Sequence, residues 1–307
     1  MKTVLITGGT GMVGRYLTQL LIQKGYRVNW LSRQQGETNV QGNRIQVFQW
    51  DIEKQIINEE AISSADYIIH LAGAGVAEKR WTKQRKQEIL DSRTKSSALI
   101  VKAMKEIPNQ VQAVVSASAI GWYGPDNTKN LKPFTEDMPV HPGFLGDTCK
   151  AWEDSIAPVH TLLQKRLVRL RIGIVLSNTG GAIAEFKKPL RMGMLPLFGS
   201  GKQIVSWIHI ADLCHLFLYA LENKEMQGVF NAVAPNPVSS RMLMAALGKS
   251  MGKSMLLPIP IPSFFLRLLL GEMSIEILKS ATVSSKKSEA AGFRYEYAAI
   301  DKAVEHL

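Results

Sequence analysis

The chain has 307 residues, of which 46% are hydrophobic and 21% charged, and its formal net charge is +11. These values are normal for a globular protein, and the length suits one domain with a smaller second one. The basic residues are mostly scattered and no nucleic-acid motif accompanies them, which argues against a nucleic-acid partner. A phosphorylated cofactor and an anionic substrate would account for part of the positive charge.

Cysteine usage and hydropathy predict where the protein resides. Cys149 and Cys214 lie far apart and match no metal-binding or redox spacing, which favours a reducing compartment. The first residues have the pattern of a strand rather than of a signal peptide, and the apolar run from Phe264 to Leu270 is too short to span a bilayer. We therefore expect a cytoplasmic protein with no metal site and no membrane partner.

The chain opens with an apolar run, Val4 to Ile6, which ends in a glycine-rich turn and passes directly into a helical pattern. In the spacing Gly8-x-x-Gly11-x-x-Gly14, the first glycine permits the turn and the second allows the backbone to approach a pyrophosphate. The third lets the helix pack closely on the sheet. Because the N–H groups and dipole of a helix N-terminus favour an anion, this segment predicts dinucleotide binding rather than a structural turn.

The second predicted strand, Tyr26 to Leu31, is followed by Ser32 and Arg33. In dinucleotide-binding units, an acidic residue about twenty positions after the glycines holds the ribose 2′-hydroxyl. A carboxylate would repel a 2′-phosphate, whereas Arg33 can bind one with two hydrogen bonds and Ser32 can donate to it. We therefore predict NADP(H) rather than NAD(H) as the cofactor.

A third predicted strand, Ile45 to Trp50, ends at Asp51. Two interpretations of this acid are open. At the carboxyl end of a parallel strand it lies beside the cofactor crevice, where it can accept a hydrogen bond from the adenine amino group. It can equally cap a following helix.

Strands and helices continue to alternate. Tyr67 to Leu71 is predicted to form the fourth strand and runs into small residues, Ala72 to Gly75, that let a cofactor lie against the backbone. A helix from Thr82 to Lys105 and a fifth strand from Val111 to Ala117 follow. This alternation predicts an α/β fold with a Rossmann-type, doubly wound parallel sheet and ligands at the carboxyl ends of its strands.

The later part of the chain is predicted to build a second, mainly helical region. A helix within Gly143 to Leu163 and a sixth strand from Leu167 to Leu176 precede a glycine- and proline-rich loop from Gly193 to Gly201. We assign residues 1–168 and 203–225 to the dinucleotide-binding domain. Residues 169–202 and 226–307 are assigned to a smaller, discontinuous substrate lobe, with the active cleft between the two.

Several motifs together resemble the extended short-chain dehydrogenase/reductase superfamily. The nearest branch is the one similar to NAD-dependent sugar-nucleotide epimerases and dehydratases, with an extra C-terminal segment. The matching segments are Thr7–Gly14, Leu71–Ala74, Ser116–Ser118, Trp207–Asp212, Asn231–Pro237 and Gly292–Tyr295. The resemblance covers essentially the whole chain.

The resemblance implies hydride transfer between C4 of nicotinamide and a hydroxyl or carbonyl carbon of a small molecule. In such enzymes a tyrosine acts as general acid/base, a lysine four residues later holds the nicotinamide ribose, and a serine orients the substrate oxygen. An adjacent cation stabilises a phenolate, so this tyrosine can work nearer neutral pH. Here Lys150 fits the lysine position and Ser118 the serine position, but Gly146 stands where the tyrosine is expected.

Three interpretations of this departure are open. Tyr123, after the fifth strand, can serve as acid/base, or another group such as Glu153 or His209 can do so. Alternatively, the protein is a non-catalytic, NADP(H)-binding regulatory protein. The predicted catalytic residues are Ser118, Tyr123 and Lys150. The predicted cofactor-binding residues are Thr7, Gly8, Gly11, Met12, Val13, Ser32, Arg33, Asp51, Leu71, Ala72, Gly73, Ala74 and Lys150.

The substrate and the oligomeric state are predicted only by class. We expect a small-molecule substrate that is anionic or nucleotide-linked, because basic residues occur in segments that relatives use over the substrate. These residues are Arg171, Lys187, Lys188, Arg191 and Lys202. The long helix from Thr82 to Lys105 offers a face for a homodimer.

Overall fold

The computed structural model describes residues 1–127, 132–253 and 255–307. Within these ranges the strands are β1 (Thr3–Thr7), β2 (Arg27–Ser32), β3 (Gly36–Val40), β4 (Asn43–Asp51), β5 (Ile56–Ile57), β6 (Tyr67–His70), β7 (Ala113–Ala119), β8 (Arg166–Ile172), β9 (Ile174–Leu176), β10 (Met194–Phe198), β11 (Ile204–Val205), β12 (Trp207–His209), β13 (Gly228–Ala232), β14 (Val238–Ser239) and β15 (Leu257–Ile261). The α-helices are α1 (Met12–Gln23), α2 (Glu59–Ser63), α3 (Lys83–Glu106), α4 (Phe144–Ile156), α5 (Pro158–Thr161), α6 (Gly181–Arg191), α7 (Ile210–Glu222), α8 (Ser240–Ser250), α9 (Ser263–Leu270), α10 (Ser274–Leu278), α11 (Lys286–Ala290) and α12 (Ile300–Glu305). Single 3₁₀ turns span Ile120–Trp122 and Gly271–Met273.

The central sheet has the strand order β13-β8-β7-β6-β1-β2-β4-β3. Along this path in the described ranges every pairing is parallel, apart from the antiparallel edge strand β3 on β4. From β1 the chain builds outward through β2 and β4 on one side and through β6, β7, β8 and β13 on the other. The prediction of a Rossmann-type, doubly wound α/β fold is therefore confirmed, and the order reverses between β1 and β6, where such folds bind ligands.

Both faces of the sheet are covered, as a parallel sheet requires. Val4 and Ile6 of β1 belong to a core cluster that includes α1 and α7, whereas Leu5 between them belongs to a second cluster that includes α2 and α3. Successive strand residues point to opposite faces, so one short apolar run supplies both layers. This explains why β1 and β6 are buried along their whole length.

The boundaries of the sheet differ from those predicted. β8 extends to Ile172 and β13 joins the sheet at its edge, although both segments were assigned in part or whole to the smaller lobe. The predicted sixth strand is divided at Gly173, where glycine is needed since a Cβ would lie 2.6 Å from the carbonyl oxygen of Ser206. The strand therefore resumes as β9, which pairs with β12 instead.

A third apolar cluster lies in the later part of the chain. Side chains of α6, α8 and α12 pack together there, including Ile183, Leu190, Leu247 and Val304. A parallel pair, β10 with β15, lies beside these helices, and β10 falls in the segment predicted to be a loop. β15 pairs with a single neighbour, so one of its sides makes no ladder hydrogen bonds. Prolines are tolerated in such a strand because they need not donate an N–H on that side.

A buried polar junction joins the ends of β1 and β6. The Thr7 hydroxyl oxygen accepts hydrogen bonds from the N–H groups of Leu71 (3.0 Å) and Ala72 (3.1 Å). The same hydroxyl oxygen lies 2.8 Å from Nδ1 of His70. Because the oxygen already accepts two hydrogen bonds, the hydroxyl proton is directed to Nδ1, which accepts it. His70 is therefore held neutral, and burial lowers its pKa to about 3. The junction fixes the backbone that leaves β6.

We predict that His70 makes folding stability depend on pH. Its folded-state pKa of about 3 lies below the ordinary value of 6.5, so the unfolded chain binds a proton that the folded one does not. Stability is lost as pH falls from about 6.5 towards 3, at up to about 1.4 kcal/mol per pH unit. Urea unfolding of wild type and of His70→Asn at several pH values measures this, and the variant should have the shallower slope. Equal slopes would contradict a buried, neutral His70.

Candidate cofactor crevice and active site

The turn between β1 and α1 forms a cradle of backbone groups. Gly8 has φ +71°, and the Gly11 N–H donates to the Gly8 carbonyl over 3.0 Å. A Cβ on Gly14 would lie 2.4 Å from that same carbonyl oxygen, so glycine is needed for helix and turn to meet. Gly11 caps α1 without any side-chain hydrogen bond, and the first turn holds no acid. The N–H groups of this turn, including Met12 and Val13, therefore suit the pyrophosphate of a dinucleotide.

The ends of β2 and β4 lie next along the same edge of the sheet. Ser32 is half-buried and Arg33 exposed, and the side-chain amide of Gln49 donates to the Arg33 carbonyl over 3.2 Å. Asp51 accepts hydrogen bonds from the N–H groups of Glu53 (3.1 Å) and Lys54 (3.0 Å), and these bonds lower its pKa. Of the two interpretations of Asp51, the structure favours capping, although it caps a turn rather than a helix.

The backbone after β6 completes the crevice, and a residue with no predicted role supports it. The Ala74 N–H donates to Ser92 (2.9 Å), and Arg93 Nη1 donates to the Ala74 carbonyl (2.9 Å). A Cβ on Gly73 would lie 3.1 Å from the Arg93 guanidinium carbon, so only glycine leaves this packing undisturbed. Arg93 also lies 5.0 Å from the ring of Trp152, and burial lowers its pKa to about 10. Arg93 is thus a cation placed directly beneath the predicted cofactor loop.

The crevice continues to the start of α6. Gly180 and Gly181 precede and begin that helix, and Met12 is the nearest side chain to both, with its sulfur 3.8 Å from a Cβ built on either glycine. A second glycine-opened helix start therefore faces the first, which only the tertiary structure reveals.

The face of α4 that lies towards β7 carries different residues from those predicted. A Cβ on Gly121 would lie 3.2 Å from Leu145 and 3.4 Å from the sulfur of Cys149. The Cys149 thiol donates to the Ala119 carbonyl over 3.6 Å, and burial raises its pKa to about 12. Lys150 lies one residue further round the helix, is 54% exposed and pairs with Asp154 at 2.5 Å. The structure thus directs Lys150 to solvent and gives Cys149 the inward position.

Gly146 is not the site of a lost tyrosine side chain. A Cβ there would lie 1.9 Å from the carbonyl oxygen of His141, so no larger residue fits this backbone. Leu145 and Cys149 are four residues apart, the spacing of the tyrosine and lysine in the resembling enzymes, and they are the side chains of α4 nearest to Gly121. Neither of these inward positions carries a tyrosine or a lysine.

Ser118 belongs to a buried ionic network. Its hydroxyl donates to Glu153 Oε1 over 2.7 Å, and Arg171 grips the same carboxylate through Nε (2.8 Å) and Nη2 (3.1 Å). All three side chains are 2–4% exposed. The guanidinium of Arg171 also stacks on Trp122 at 3.7 Å. Such a paired, hydrogen-bonded geometry is what allows two charges to be buried together.

Tyr123 is joined to the same network from the other side. Its hydroxyl accepts from Arg171 Nη1 (3.0 Å) and donates to Asn231 Oδ1 (2.8 Å), and its ring stacks on Phe134. The residue is 1% exposed, and burial raises its pKa to about 12. The structure therefore brings Ser118 and Tyr123 together but gives the phenol neither solvent access nor the lowered pKa that acid/base catalysis needs.

The remaining candidates have structural contacts. The His209 ring is buried and accepts from the Ala211 N–H (3.3 Å) as the N-cap of α7. Arg171 forms an ion pair with Glu153, and Lys188 forms one with Glu185 at 2.7 Å. Arg171 is therefore unavailable to an anion, whereas Lys187, Lys188 and Arg191 lie together on α6.

These features define the class of protein. The NAD dependent epimerase/dehydratase family matches residues 4–232, and a domain of unknown function, DUF1731, matches residues 261–307. The chain belongs to this family, and the predicted resemblance is confirmed. Its crevice is that of a nicotinamide dinucleotide-binding protein.

Particular relatives resemble the chain along its full length. It is 32% identical to the mouse epimerase family protein SDR39U1 over 99% of both chains. It is 34% identical to the epimerase family protein YfhF of Bacillus subtilis, over 99% of this chain and 97% of that one. The crystal structure of human epimerase family protein SDR39U1 (isoform 2) with NADPH superposes with a TM-score of 0.87 at 30% identity, covering 99% of this chain and 98% of that one.

We predict that Glu153→Gln destabilises the protein strongly. The substitution leaves the buried Arg171 without a countercharge, which typically costs about 3–5 kcal/mol. Asp154→Asn is the matched control, because it removes an exposed partner of Lys150 and should cost less than about 1 kcal/mol. Urea unfolding of both variants gives the comparison. A Glu153→Gln loss no larger than that of the control would show that the pair does not hold the fold together.

Proposed function

We propose that the protein binds NADP(H) and uses it in hydride transfer at a hydroxyl or carbonyl carbon of a small molecule. It would thus act as an oxidoreductase or an epimerase-like enzyme. When bound, the cofactor supplies or accepts a hydride at C4 of nicotinamide. The glycine turn between β1 and α1 is the observation that carries this proposal, because its N–H groups meet no side-chain cap and its backbone excludes larger residues.

The preference for a phosphorylated cofactor rests on the end of β2. The exposed Arg33 directly follows β2, and Ser32 is the last residue of that strand. In proteins that bind the unphosphorylated ribose, an acidic residue occupies this place. The NADPH in the structure of the human relative supports the same choice. Gly8, Gly11, Met12 and Val13 would hold the pyrophosphate.

We predict that Arg33→Ala weakens NADPH binding selectively. Loss of a charge-assisted contact to a 2′-phosphate should raise the dissociation constant for NADPH about ten- to a hundredfold. NADH, which lacks that phosphate, should change little. Arg27→Ala is the matched control, since Arg27 is exposed at the opposite end of β2. Nicotinamide fluorescence titrations measure both cofactors, and an equal loss for NADPH and NADH would refute the role of Arg33.

The substrate proposed is a small molecule that is anionic or nucleotide-linked. Arg191 and Lys202 are exposed in the segments around β10 and are therefore open to an anion. Since Arg171 is committed to Glu153, any anion would be bound by these outer cations rather than in the buried network. A homodimer through α3 stays a prediction of the sequence.

One observation favours a second candidate, a non-catalytic NADP(H)-binding regulatory protein. The inward positions of α4 carry Leu145 and Cys149. Leu145 has no proton to transfer, and burial raises the pKa of the Cys149 thiol to about 12, so the thiol does not readily release its proton at neutral pH. Binding of the cofactor without turnover is the outcome that this arrangement would produce.

Deuterium transfer separates the two candidates. The protein is loaded with NADPH deuterated at C4 and incubated with carbonyl compounds, including 4-keto sugar nucleotides, because only a carbonyl carbon can accept the hydride. The products are examined by mass spectrometry. Deuterium in a product supports the enzyme, whereas tight NADPH binding without transfer supports the regulatory protein.

We further predict that Tyr123→Phe leaves any such transfer largely intact. The phenol is buried and bonded to Asn231, so its loss should lower stability by about 1 kcal/mol without removing a reacting proton. Rates of transfer and urea midpoints are measured together. Abolished transfer at unchanged NADPH affinity and normal stability would instead make Tyr123 the acid/base.

A further inference from the structure

The helix α9 presents an unusually apolar outer face. Phe264, Phe265, Leu268 and Leu269 are each between 50% and 72% exposed, whereas Leu266 is buried. At about 100° per residue, the four exposed side chains share one arc of the helix and Leu266 lies on the other side. Monomeric proteins rarely leave such a group of large apolar side chains in water, so this face calls for a partner.

The segment is fixed to the rest of the protein. Leu266 is buried on the inner face of α9. Gly271, the residue after the helix, lies against Arg80, since a Cβ on Gly271 would lie 2.9 Å from the Arg80 side chain. Glu272 forms an ion pair with Lys86 at the start of α3. Burial of Leu266 on the inner face and these contacts after the C-terminal end of α9 therefore leave the apolar arc directed towards solvent.

The charge beside this helix is basic on balance. Arg267 lies on α9 and Arg80 adjoins its C-terminal end, and both are exposed. The neighbouring acids, Glu272 and Glu276, pair with Lys86 and Lys279. An apolar arc bordered by exposed cations complements a surface that is both apolar and anionic. A second copy of the chain would bring like charges together, which disfavours self-association through this face.

We propose that α9 docks the protein on an anionic phospholipid surface, with its apolar arc at the headgroup–acyl boundary and its cations on the lipid phosphates. No helix formed by residues 1–127, 132–253 or 255–307 is long and apolar enough to cross a membrane. The helix therefore lies on the surface rather than spanning it. The expectation of no membrane partner was based on the length of the apolar run alone and did not consider its exposure.

Vesicle co-sedimentation of the full chain tests the proposal. Wild type should pellet with vesicles of phosphatidylcholine mixed with phosphatidylglycerol, pellet far less with phosphatidylcholine alone, and be released by high salt. Leu268→Ser should lower the partition coefficient about tenfold, because one large apolar side chain is lost from the interface. Leu162→Ser is the matched control, since Leu162 is 58% exposed on the turn after α5. NADPH binding and unfolding midpoints verify that both variants are folded.

Three outcomes would overturn the proposal. Wild type could fail to bind the anionic vesicles, or Leu162→Ser could lose as much binding as Leu268→Ser. Light scattering could instead reveal a dimer that Leu268→Ser dissociates without any vesicle binding, which would identify a second copy as the occupant. None of these measurements depends on hydride transfer, so the result is distinct from a failure of the proposed function.

Discussion

The ion pair between Glu153 and Arg171 is the contact on which the arrangement of the site depends. It ties α4 to β8, and through Ser118, Tyr123 and Asn231 it reaches β7 and β13. Two charges can be buried there only because every strong donor of the guanidinium meets an acceptor. This network occupies the interior behind the crevice. It therefore leaves Ser118 and Tyr123 with structural contacts instead of free reactive groups.

The same packing explains why the inward residues of α4, the helix after β7, differ from those that the sequence predicts. A lysine at position 150 and a glycine at position 146 look like a damaged tyrosine–lysine pair in the sequence. In the folded chain the inward positions are 145 and 149, because Cys149 reaches the Ala119 carbonyl and Lys150 reaches Asp154 at the surface. A shift of one residue on a helix turns a side chain by about 100°, which is enough to exchange core for solvent. The half-buried Arg93, which donates to the Ala74 carbonyl, is then a cation beside the crevice.

Local patterns predicted the elements well where the strands are buried on both faces. The apolar runs at β1 and β6 and the glycine turn after β1 could be located because only buried strands and tight turns have that composition. The pair β10 and β15 could not, since proline normally interrupts a strand and its tolerance here depends on a single neighbour distant in the chain. The edge strand β3 was missed for a similar reason, because it is short, polar and mostly exposed.

The sequence by itself predicted the doubly wound α/β fold, the glycine turn after β1 and the family, because each is marked by short motifs whose residues are adjacent in the chain. The tertiary structure alone decided the environments of the side chains. In it, the Thr7 hydroxyl accepts hydrogen bonds from the N–H groups of Leu71 and Ala72. Lys150 points to solvent, and the apolar arc of α9 is exposed. Burial and hydrogen-bond partners come from segments far apart in sequence. Since these contacts set charge, pKa and access, the chemistry of the site follows from packing rather than from motif spacing.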